Sequence, residues 1–341
     1  MSDFTVNIFQ HRGSSYQTGF NLGQQLTGSR VPQMFENITR PAIDAGNMKE
    51  IYRIFAPHMI DELEGLADGL NISWKKAVAL FGGYNVPRPP ALGCSAMLTD
   101  SYYVRNYDFT PDLYDGYFSL IQPKAAFASA GYNLQVIGRH EGVNQHGLVA
   151  GLHFVSNSGY TTGISAWMAI RMLLDTCATA SEAINMLKEM PHAACYNFSI
   201  GDKHGNTVVV EVTPDNVETR CAPSFLKCTN HFQNKSLQHK NRPVINNSVD
   251  RHTYIKTMDE KHLMHEEAFE HFRDKTSPLF YTDYDGLFGT LHTFSYSYKN
   301  ARILTSIAQS DQVLDIHFDN WVAGNNISEE QLQGIIKQSS K

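Results

Sequence analysis

The stretch from Leu92 to Phe109 constrains the fold of this chain more than any other. Residues 94–98 and 102–104 are rich in apolar, aromatic and β-branched side chains, and the Thr-Asp-Ser sequence at 99–101 is typical of a turn. We therefore predict a β-hairpin of two antiparallel strands with a short connection. In such a hairpin, the start of the first strand lies beside the end of the second.

The two ends that this hairpin brings together carry reactive and charged side chains. Cys94 opens the first strand, and Arg105 and Asp108 close the second. A guanidinium group beside a thiol lowers the pKa of the thiol and raises the population of the thiolate. The pattern predicts a cysteine nucleophile at this end of the hairpin. The alternative for Cys94 taken alone is an inert, buried cysteine.

Gly93 precedes this cysteine and suits self-cleavage of the chain. Glycine places no side chain next to the carbonyl group that the following thiol would attack, so an N→S acyl shift is feasible at the Gly93–Cys94 bond. Cleavage would make Cys94 an N-terminal residue. Its α-amino group, with an ordinary pKa of about 8, would then be a base for its own thiol.

The Gly-Cys pair, the short hairpin and the Arg-Asn-Tyr-Asp-Phe sequence at 105–109 resemble the N-terminal nucleophile (Ntn) hydrolases. Within them, the pattern resembles the linear-amide hydrolases: choloylglycine hydrolase, penicillin V acylase and the acyl-CoA:6-aminopenicillanate acyltransferase group of C45-like peptidases. This resemblance implies an α+β fold, a four-layer αββα sandwich of two antiparallel sheets flanked by helices. Runs of predicted strands around a pair of predicted helices agree with it.

Three later segments extend the resemblance. Lys-Cys-Thr-Asn-His-Phe at 227–232 matches the segment whose Asn, here Asn230, donates a hydrogen bond to the oxyanion. The segment that begins at Ser248 matches one that opens a helix and contributes an Arg, here Arg251. His153 stands where the family has an Asn near the oxyanion. Read without the family, Asn230 is a turn residue at a strand end and Arg251 a solvated residue at a helix start.

The resemblance also implies a role for each residue. Arg105 and Arg251 would favour the thiolate of Cys94, and Asp108 would hold the new α-amino group in place. An apolar acyl pocket is expected from Tyr107, Phe109 and Phe154. No cofactor and no metal are implied, and the His residues of 262–271 miss the His-Glu-x-x-His spacing of a zinc site.

Residues 1–93 differ from the remainder and are predicted to be a helical leader segment packed on the core, with residues 94–341 forming the catalytic domain. Helices are expected at 13–26, 59–70 and 74–80, and the Pro-rich sequence at 86–90 reads as an extended linker. The first helix contains two glycines, which predicts close packing of its backbone against a neighbour.

The remainder of the chain alternates strands and turns around two helices. Strands are expected at 117–122, 134–138, 148–154, 196–201, 207–213, 217–221, 226–232, 301–308 and 313–318, and helices at 164–176 and 181–190.

Composition excludes several classes of protein. The 341 residues carry a net charge of −6 without a basic stripe, which excludes nucleic acid as a partner, and no apolar run reaches membrane-spanning length. The first residues lack the features of a secretory signal, so a cytoplasmic location is expected. Five cysteines without a Cys-x-x-Cys pair argue against a disulfide framework, and the four besides Cys94 are expected to be buried.

The sequence therefore predicts a self-processing cysteine amidohydrolase that cleaves a small-molecule N-acyl amide through an acyl-thioester on Cys94. Two alternatives stay open. One is an acyltransferase that passes the acyl group to an amine, and the other is an inactive, unprocessed Ntn-fold binding protein. A homo-oligomer is compatible with the composition.

Overall fold

The computed structural model describes residues 2–86, 88, 93–222, 224–259, 261–286 and 288–336. The strands are β1 (Ser2–Gly13), β2 (Gly93–Thr99), β3 (Tyr102–Phe109), β4 (Tyr117–Pro123), β5 (Ser129–Leu134), β6 (Gly138–Asn144), β7 (Val149–Ser156), β8 (Cys195–Gly201), β9 (Thr207–Val212), β10 (Val217–Cys221), β11 (Phe225–Cys228), β12 (Thr282–Asp283), β13 (Phe288–Ser297), β14 (Arg302–Ile307), β15 (Leu314–His317) and β16 (Gln331–Ile336). The helices are α1 (Ser15–Leu26), α2 (Val31–Ile38), α3 (Ala45–Phe55), α4 (His58–Leu70), α5 (Trp74–Phe81), α6 (Ala166–Thr176), α7 (Ala180–Glu189), α8 (Asn246–Asp259), α9 (His265–Arg273) and α10 (Phe318–Val322).

The described strands form two sheets. The larger has nine strands in the order β10-β9-β8-β7-β6-β5-β4-β1-β16, and the smaller has the order β11-β2-β3-β13-β14-β15, with β12 paired to β13. Neighbouring strands run antiparallel except for β1 and β4, which are parallel. A parallel pair needs a long crossover, and helices α1 to α5 lie within the connection between these two strands.

The two sheets stack face to face between layers of helices. Strand β2 of the smaller sheet contacts β7 and β8 of the larger one. Helices α6 and α7 cover the larger sheet, while α8 and α9 cover the smaller. Most residues of the central strands are buried because each sheet is covered on both faces. The predicted α+β class, with two sheets flanked by helices, is confirmed.

The predicted hairpin is present as β2 and β3, in the middle of the smaller sheet. Its register sets Gly93 opposite Asp108, Cys94 opposite Tyr107, and Ala96 opposite Arg105. The second strand extends to Phe109, five residues beyond the β-prone segment at 102–104, because it also pairs with β13 on its other edge. Both strands are almost completely buried.

Glycines of α1 and α4 allow these two helices to pack closely against each other. A Cβ atom on Gly19 would lie 1.9 Å from the carbonyl oxygen of Glu62 in α4, and one on Gly65 would lie 1.9 Å from that of Tyr16 in α1. No side chain fits at either position, so the predicted reason for the glycines is confirmed.

A buried ion network connects the N-terminal helices to the sandwich. The guanidinium group of Arg171 in α6 donates to Glu62 in α4 at 2.6 Å and to Asp175 at 2.8 Å, and Asp175 also pairs with His58. Besides these helices, residues 1–93 contribute the strand β1 to the larger sheet. This segment therefore shares a sheet with the remainder of the chain.

Several local predictions were wrong. The strand predicted at 134–138 is interrupted, because residues 135–137 form a tight turn between β5 and β6 in which Gln135 and Val136 take positive φ angles of 56° and 69°. Cys221 is exposed because it ends the edge strand β10, whereas the other three cysteines predicted to be buried are so. The strand predicted at 226–232 ends at Cys228. The predicted linker at 86–90 lies largely outside the described residues.

Within the described ranges, no helix has the length and apolar character needed to cross a membrane.

Candidate active site

The thiol of Cys94 is buried against the guanidinium group of Arg105. The Nη2 atom of Arg105 lies 3.0 Å from Sγ, and the same Nη2 donates to the carbonyl oxygen of Leu152 at 2.5 Å. In the hairpin register Cys94 pairs with Tyr107, and Arg105 lies two residues further along the same strand, so the side chains of Cys94 and Arg105 are diagonal neighbours on one face of the sheet. The predicted neighbourhood of thiol and guanidinium is present.

Glu141, which was not among the predicted site residues, fixes the other end of Arg105. This carboxylate in β6 is completely buried, and it pairs with Nη1 of Arg105 and with His292, whose Nε2 lies 3.1 Å from Oε2. The opposite ring nitrogen of His292 bonds to Tyr114 at 2.6 Å. A charged residue in a strand that is covered on both faces must be paired. The position of Glu141 within β6 is therefore the signal that would have identified it.

Asn230 and Arg251 hold the backbone of Cys94. Oδ1 of Asn230 accepts the N–H group of Cys94 at 2.8 Å and a hydrogen bond from Arg251 at 2.9 Å. Arg251 also donates to the carbonyl oxygen of Cys94 at 2.5 Å and to Oγ of Ser95 at 2.8 Å. Three of the predicted residues are thus joined by direct hydrogen bonds.

The amide group of Asn230 is oriented differently from the prediction. Both partners of Oδ1 are pure donors, which determines the orientation of the amide, and Nδ2 donates to the carbonyl oxygen of Phe154 at 2.9 Å. The N–H group expected to face an oxyanion is therefore used by a backbone carbonyl. The backbone N–H of Asn230 is itself held by Ser248 at 2.8 Å.

Asp108 lies opposite Gly93 and carries one unsatisfied oxygen. Its Oδ1 accepts from Thr290 at 2.7 Å, while its buried Oδ2 meets no hydrogen-bond donor among the described residues. Burial raises the pKa of Asp108, and the charges of Arg251 and Arg105 oppose this shift. A carboxylate with a spare acceptor beside the Gly93–Cys94 bond is suited to receive an ammonium group.

Gly93 has no room for a side chain. A Cβ atom at this position would lie 2.6 Å from the ring of Phe288 and 2.9 Å from Cβ of Asp108. Glycine at this position was predicted to give access to the carbonyl group, and the packing adds a steric reason.

Burial has the largest effect on the pKa of the Cys94 thiol. It raises the pKa of the Cys94 thiol to about 11, against the charges of Arg105 and Arg251, which act in the opposite direction. The two guanidinium groups thus favour the thiolate, as predicted, but they do not overcome desolvation. The thiol of Cys94 is therefore protonated at neutral pH, and it would need a base in order to act as a nucleophile.

His153 approaches the site from β7 but forms no hydrogen bond with Sγ. Its Nε2 pairs with Oγ of Ser199 at 2.9 Å, and the ring also interacts with the backbone of Cys94, which acts to raise its pKa. Burial, followed by the charges of Arg105 and Arg251, lowers the pKa of His153 far below its ordinary value. The ring is therefore neutral.

The three aromatic residues expected to form the acyl pocket are all buried. Tyr107 packs within a cluster of aromatic and histidine rings, 4.0 Å from the ring centroid of His140, and Phe109 packs against it. Phe154 differs, because its ring contacts Tyr196 edge-on at 5.4 Å and lies under a guanidinium group. Of the three, Phe154 is also the one whose backbone contacts Asn230.

The described part of the chain contains no group of three or more His, Cys, Asp or Glu side chains arranged to hold a metal ion. His265, in the segment tested for metal spacing, bonds instead to Ser295 at 2.9 Å.

Comparison with known proteins gives one family match. The sequence model of the family described as acyl-coenzyme A:6-aminopenicillanic acid acyl-transferase matches residues 97–312. No curated protein sequence matches the chain significantly.

Three solved structures illustrate the structural similarities. A variant of conjugated bile acid hydrolase from Clostridium perfringens is 14% identical with a TM-score of 0.47, the match covering 73% of this chain and 99% of that one. Penicillin V acylase from Agrobacterium tumefaciens is 12% identical with a TM-score of 0.40, covering 67% and 86%. The Caenorhabditis elegans ortholog of N-acylethanolamine-hydrolyzing acid amidase is 13% identical with a TM-score of 0.41, covering 60% and 93%.

Proposed function

This chain belongs to the acyl-coenzyme A:6-aminopenicillanic acid acyl-transferase family, as the sequence resemblance predicted, and from this premise we propose that it is a self-processing cysteine amidohydrolase. Its substrate would be a small N-acyl compound with a linear, non-peptide amide bond. Cys94 would be the nucleophile and would carry the acyl group as a thioester. The contact of Arg105 with Sγ and of Asn230 with the backbone nitrogen of the same residue carries this proposal.

The first step would be cleavage of the chain itself. Sγ of Cys94 attacks the carbonyl carbon of Gly93, the thiol proton passes to the nitrogen of Cys94 as the C–N bond breaks, and the Gly93 acyl group moves to sulfur. Water then hydrolyses this thioester, which releases the carboxylate of Gly93 and leaves Cys94 with a free α-amino group. The nitrogen freed in this way is the atom that Asn230 contacts at 2.8 Å.

The freed α-amino group would supply the base that the buried thiol needs. The thiol pKa of about 11 leaves about one molecule in ten thousand as thiolate at pH 7. An amine with an ordinary pKa of about 8 can take the thiol proton during attack and return it to the leaving nitrogen. The spare Oδ2 of Asp108 is suited to accept a hydrogen bond from the ammonium form.

The acyl-enzyme then forms and breaks down. Attack of Sγ on the substrate amide gives a tetrahedral oxyanion, which requires nearby N–H donors. Asn230 would serve as one donor by exchanging the carbonyl oxygen of Phe154 for the oxyanion. His153 is the second candidate because its ring lies next to the backbone of Cys94. Water hydrolyses the thioester in the final step.

An acyltransferase is the second candidate, and the name of the matched family favours it. The two activities share every step up to the thioester and differ only in whether water or an amine accepts the acyl group. Partition of the acyl-enzyme between the two acceptors therefore distinguishes them.

The test is an assay of the purified protein with bile-salt conjugates, penicillin V and N-acyl amino acids, with and without an added amine. We expect release of the free amine, a transient mass increase on the chain that contains Cys94, and loss of both in Cys94→Ser. New amide formed in the presence of the added amine would identify the acyltransferase. Unreactive Cys94 in an intact chain would contradict both and favour the inactive binding protein.

A further inference from the structure

Arg242 is a charged residue at the edge of the site that the mechanism does not use. Its guanidinium carbon lies 5.6 Å from the ring centroid of Phe154. The carbonyl oxygen of Phe154 accepts from Asn230, which in turn holds the backbone nitrogen of Cys94. Arg242 is thus connected to the nucleophile through two intervening residues.

This guanidinium group has no acidic partner. Across the described ranges, Arg242 forms neither an ion pair nor a side-chain hydrogen bond, and its buried Nε has no acceptor. Arg105 and Arg171, by contrast, each pair with a buried carboxylate. Arg242 is only partly buried, so a molecule arriving from solvent can reach it.

The surroundings keep the guanidinium group of Arg242 charged and within electrostatic range of Cys94. Burial lowers the pKa of Arg242 somewhat, followed by the nearby charge of Arg251, whereas Cys94 raises it. An arginine stays protonated under all ordinary conditions. Arg242 therefore adds a positive charge within electrostatic range of the nucleophile that no described side chain neutralises.

The ligand that fits this arrangement is a carboxylate. The planar guanidinium fork matches a carboxylate with two parallel hydrogen bonds, and an aromatic face fixes the plane of the fork. The ring of Phe154 lies beside the guanidinium group and itself packs edge to face against Tyr196 at 5.4 Å. An apolar ring next to one unpaired cation is a usual composition of a small-molecule subsite.

We propose that Arg242 binds a carboxylate group of the substrate, so that the preferred substrates are N-acyl amides that carry a negative charge. This inference rests on the proposed amidase function. The carboxylate belongs either to the amine half, as in an N-acyl amino acid, or to the acyl half, as in an amide of a dicarboxylic acid. Either source presents the same group to Arg242.

The experiment compares matched substrates in the processed enzyme. N-acylglycine and N-acylglycinamide with one acyl chain differ only in the charge of the amine half. The methylamide of a dicarboxylic acid and the methylamide of its monomethyl ester differ only in the acyl half. For each pair we divide kcat/KM of the charged substrate by kcat/KM of the neutral one. In the pair whose carboxylate is in the half that contacts Arg242, we expect Arg242→Gln to reduce this ratio by roughly 10-fold to 100-fold, mainly through KM.

Two further variants sharpen the outcome. Arg242→Lys keeps the charge but lacks the fork, so it should restore only part of the ratio. Arg53→Gln, which removes an exposed arginine of α3, should leave the ratio unchanged. Ratios for both pairs that are the same in Arg242→Gln and wild type would overturn the proposal.

A separate binding measurement distinguishes this failure from failure of the proposed function. If the wild type hydrolyses none of the four amides, the amidase proposal fails, and calorimetry with N-acylglycine and N-acylglycinamide still tests Arg242. Tighter binding of the carboxylate that is lost in Arg242→Gln supports the subsite, and equal binding of the two compounds contradicts it. Should Arg242→Gln not fold, Arg242→Lys supplies the comparison.

Discussion

Replacing Glu141 by glutamine tests whether the site depends on a buried charge pair. Glu141 and Arg105 are both inaccessible to solvent, and the carboxylate pairs with the guanidinium group that contacts Cys94. Glutamine has the same shape but no charge, so Glu141→Gln leaves the guanidinium group buried without a counter-ion. Breaking a buried pair in this way costs about 3–5 kcal/mol of the free energy of unfolding.

The assay is urea denaturation followed by circular dichroism. The reference protein with Glu141 and the Glu141→Gln variant should both carry Cys94→Ala, because an uncut chain unfolds without separating into two pieces. Glu50→Gln in the exposed face of α3 is the matched control and should change the free energy of unfolding by no more than about 0.5 kcal/mol.

The dependence on pH gives an independent check. Burial would raise the pKa of Glu141, but the charges and hydrogen bonds of His292 and Arg105 outweigh it, so the pKa lies below its ordinary value. A depressed pKa contributes stability that is present above the unfolded value of about 4.3 and is lost as the pH falls through the folded value. Wild type should therefore lose more stability than Glu141→Gln on acidification below about pH 4. Two results together would refute the reasoning. Glu141→Gln would lower the free energy of unfolding by less than about 1 kcal/mol at pH 7, and the free energies of unfolding of the two proteins would fall in parallel on acidification.

Further substitutions probe the nucleophile, the oxyanion site and the N-terminal segment. In an uncut chain, iodoacetamide at pH 7.5 should alkylate Cys94 at least about 300-fold more slowly than a free cysteine peptide, since its pKa is raised to about 11; peptide mapping that finds equal rates would refute this. Asn230→Ala should lower turnover by about 10²–10³ and also reduce cleavage, because this residue holds the backbone nitrogen of Cys94; near-wild-type turnover would remove it from the site. His153→Gln should keep much of the activity, and inactivity of this variant in a chain that is still cut would make His153 the base. Arg171→Gln should lower the free energy of unfolding by about 3–5 kcal/mol, because Glu62 loses its partner. After cleavage, the N-terminal piece of this variant should separate on size-exclusion chromatography. Co-elution of the two pieces with unchanged stability would contradict this prediction.

The hairpin and its charged residues were predictable because they are close in sequence. A short turn fixes the register, and the register alone brings Arg105 near Cys94 and Asp108 near Gly93. The family resemblance added Asn230 and Arg251, although their positions depend on contacts across more than a hundred residues.

The orientation of side chains and the partners of buried charges were not predictable. Which end of the Asn230 amide faces Cys94 depends on Arg251 and on the carbonyl group of Phe154. The partner of Arg105 is Glu141, which lies in the opposite sheet. Sheet packing decides such contacts, and no short-range pattern encodes it.

The missed turn at 134–138 has a similar cause. Val136 is a strand-forming residue, yet it takes a positive φ angle that β-branched residues rarely adopt. Its backbone N–H group is held by Asp115 at 2.5 Å, and the side chain of Gln135 bonds to the carbonyl oxygen of Leu80. Tertiary hydrogen bonds override local propensity at this position.

The most direct test of the account is the intact mass of the purified protein under denaturing conditions. We predict two chains, the longer beginning at Cys94 and the shorter ending at Gly93, and a single chain for Cys94→Ala. A preparation that hydrolyses amides while its wild-type chain stays whole, or is cut at another bond, would contradict the central claim that Cys94 becomes an N-terminal nucleophile.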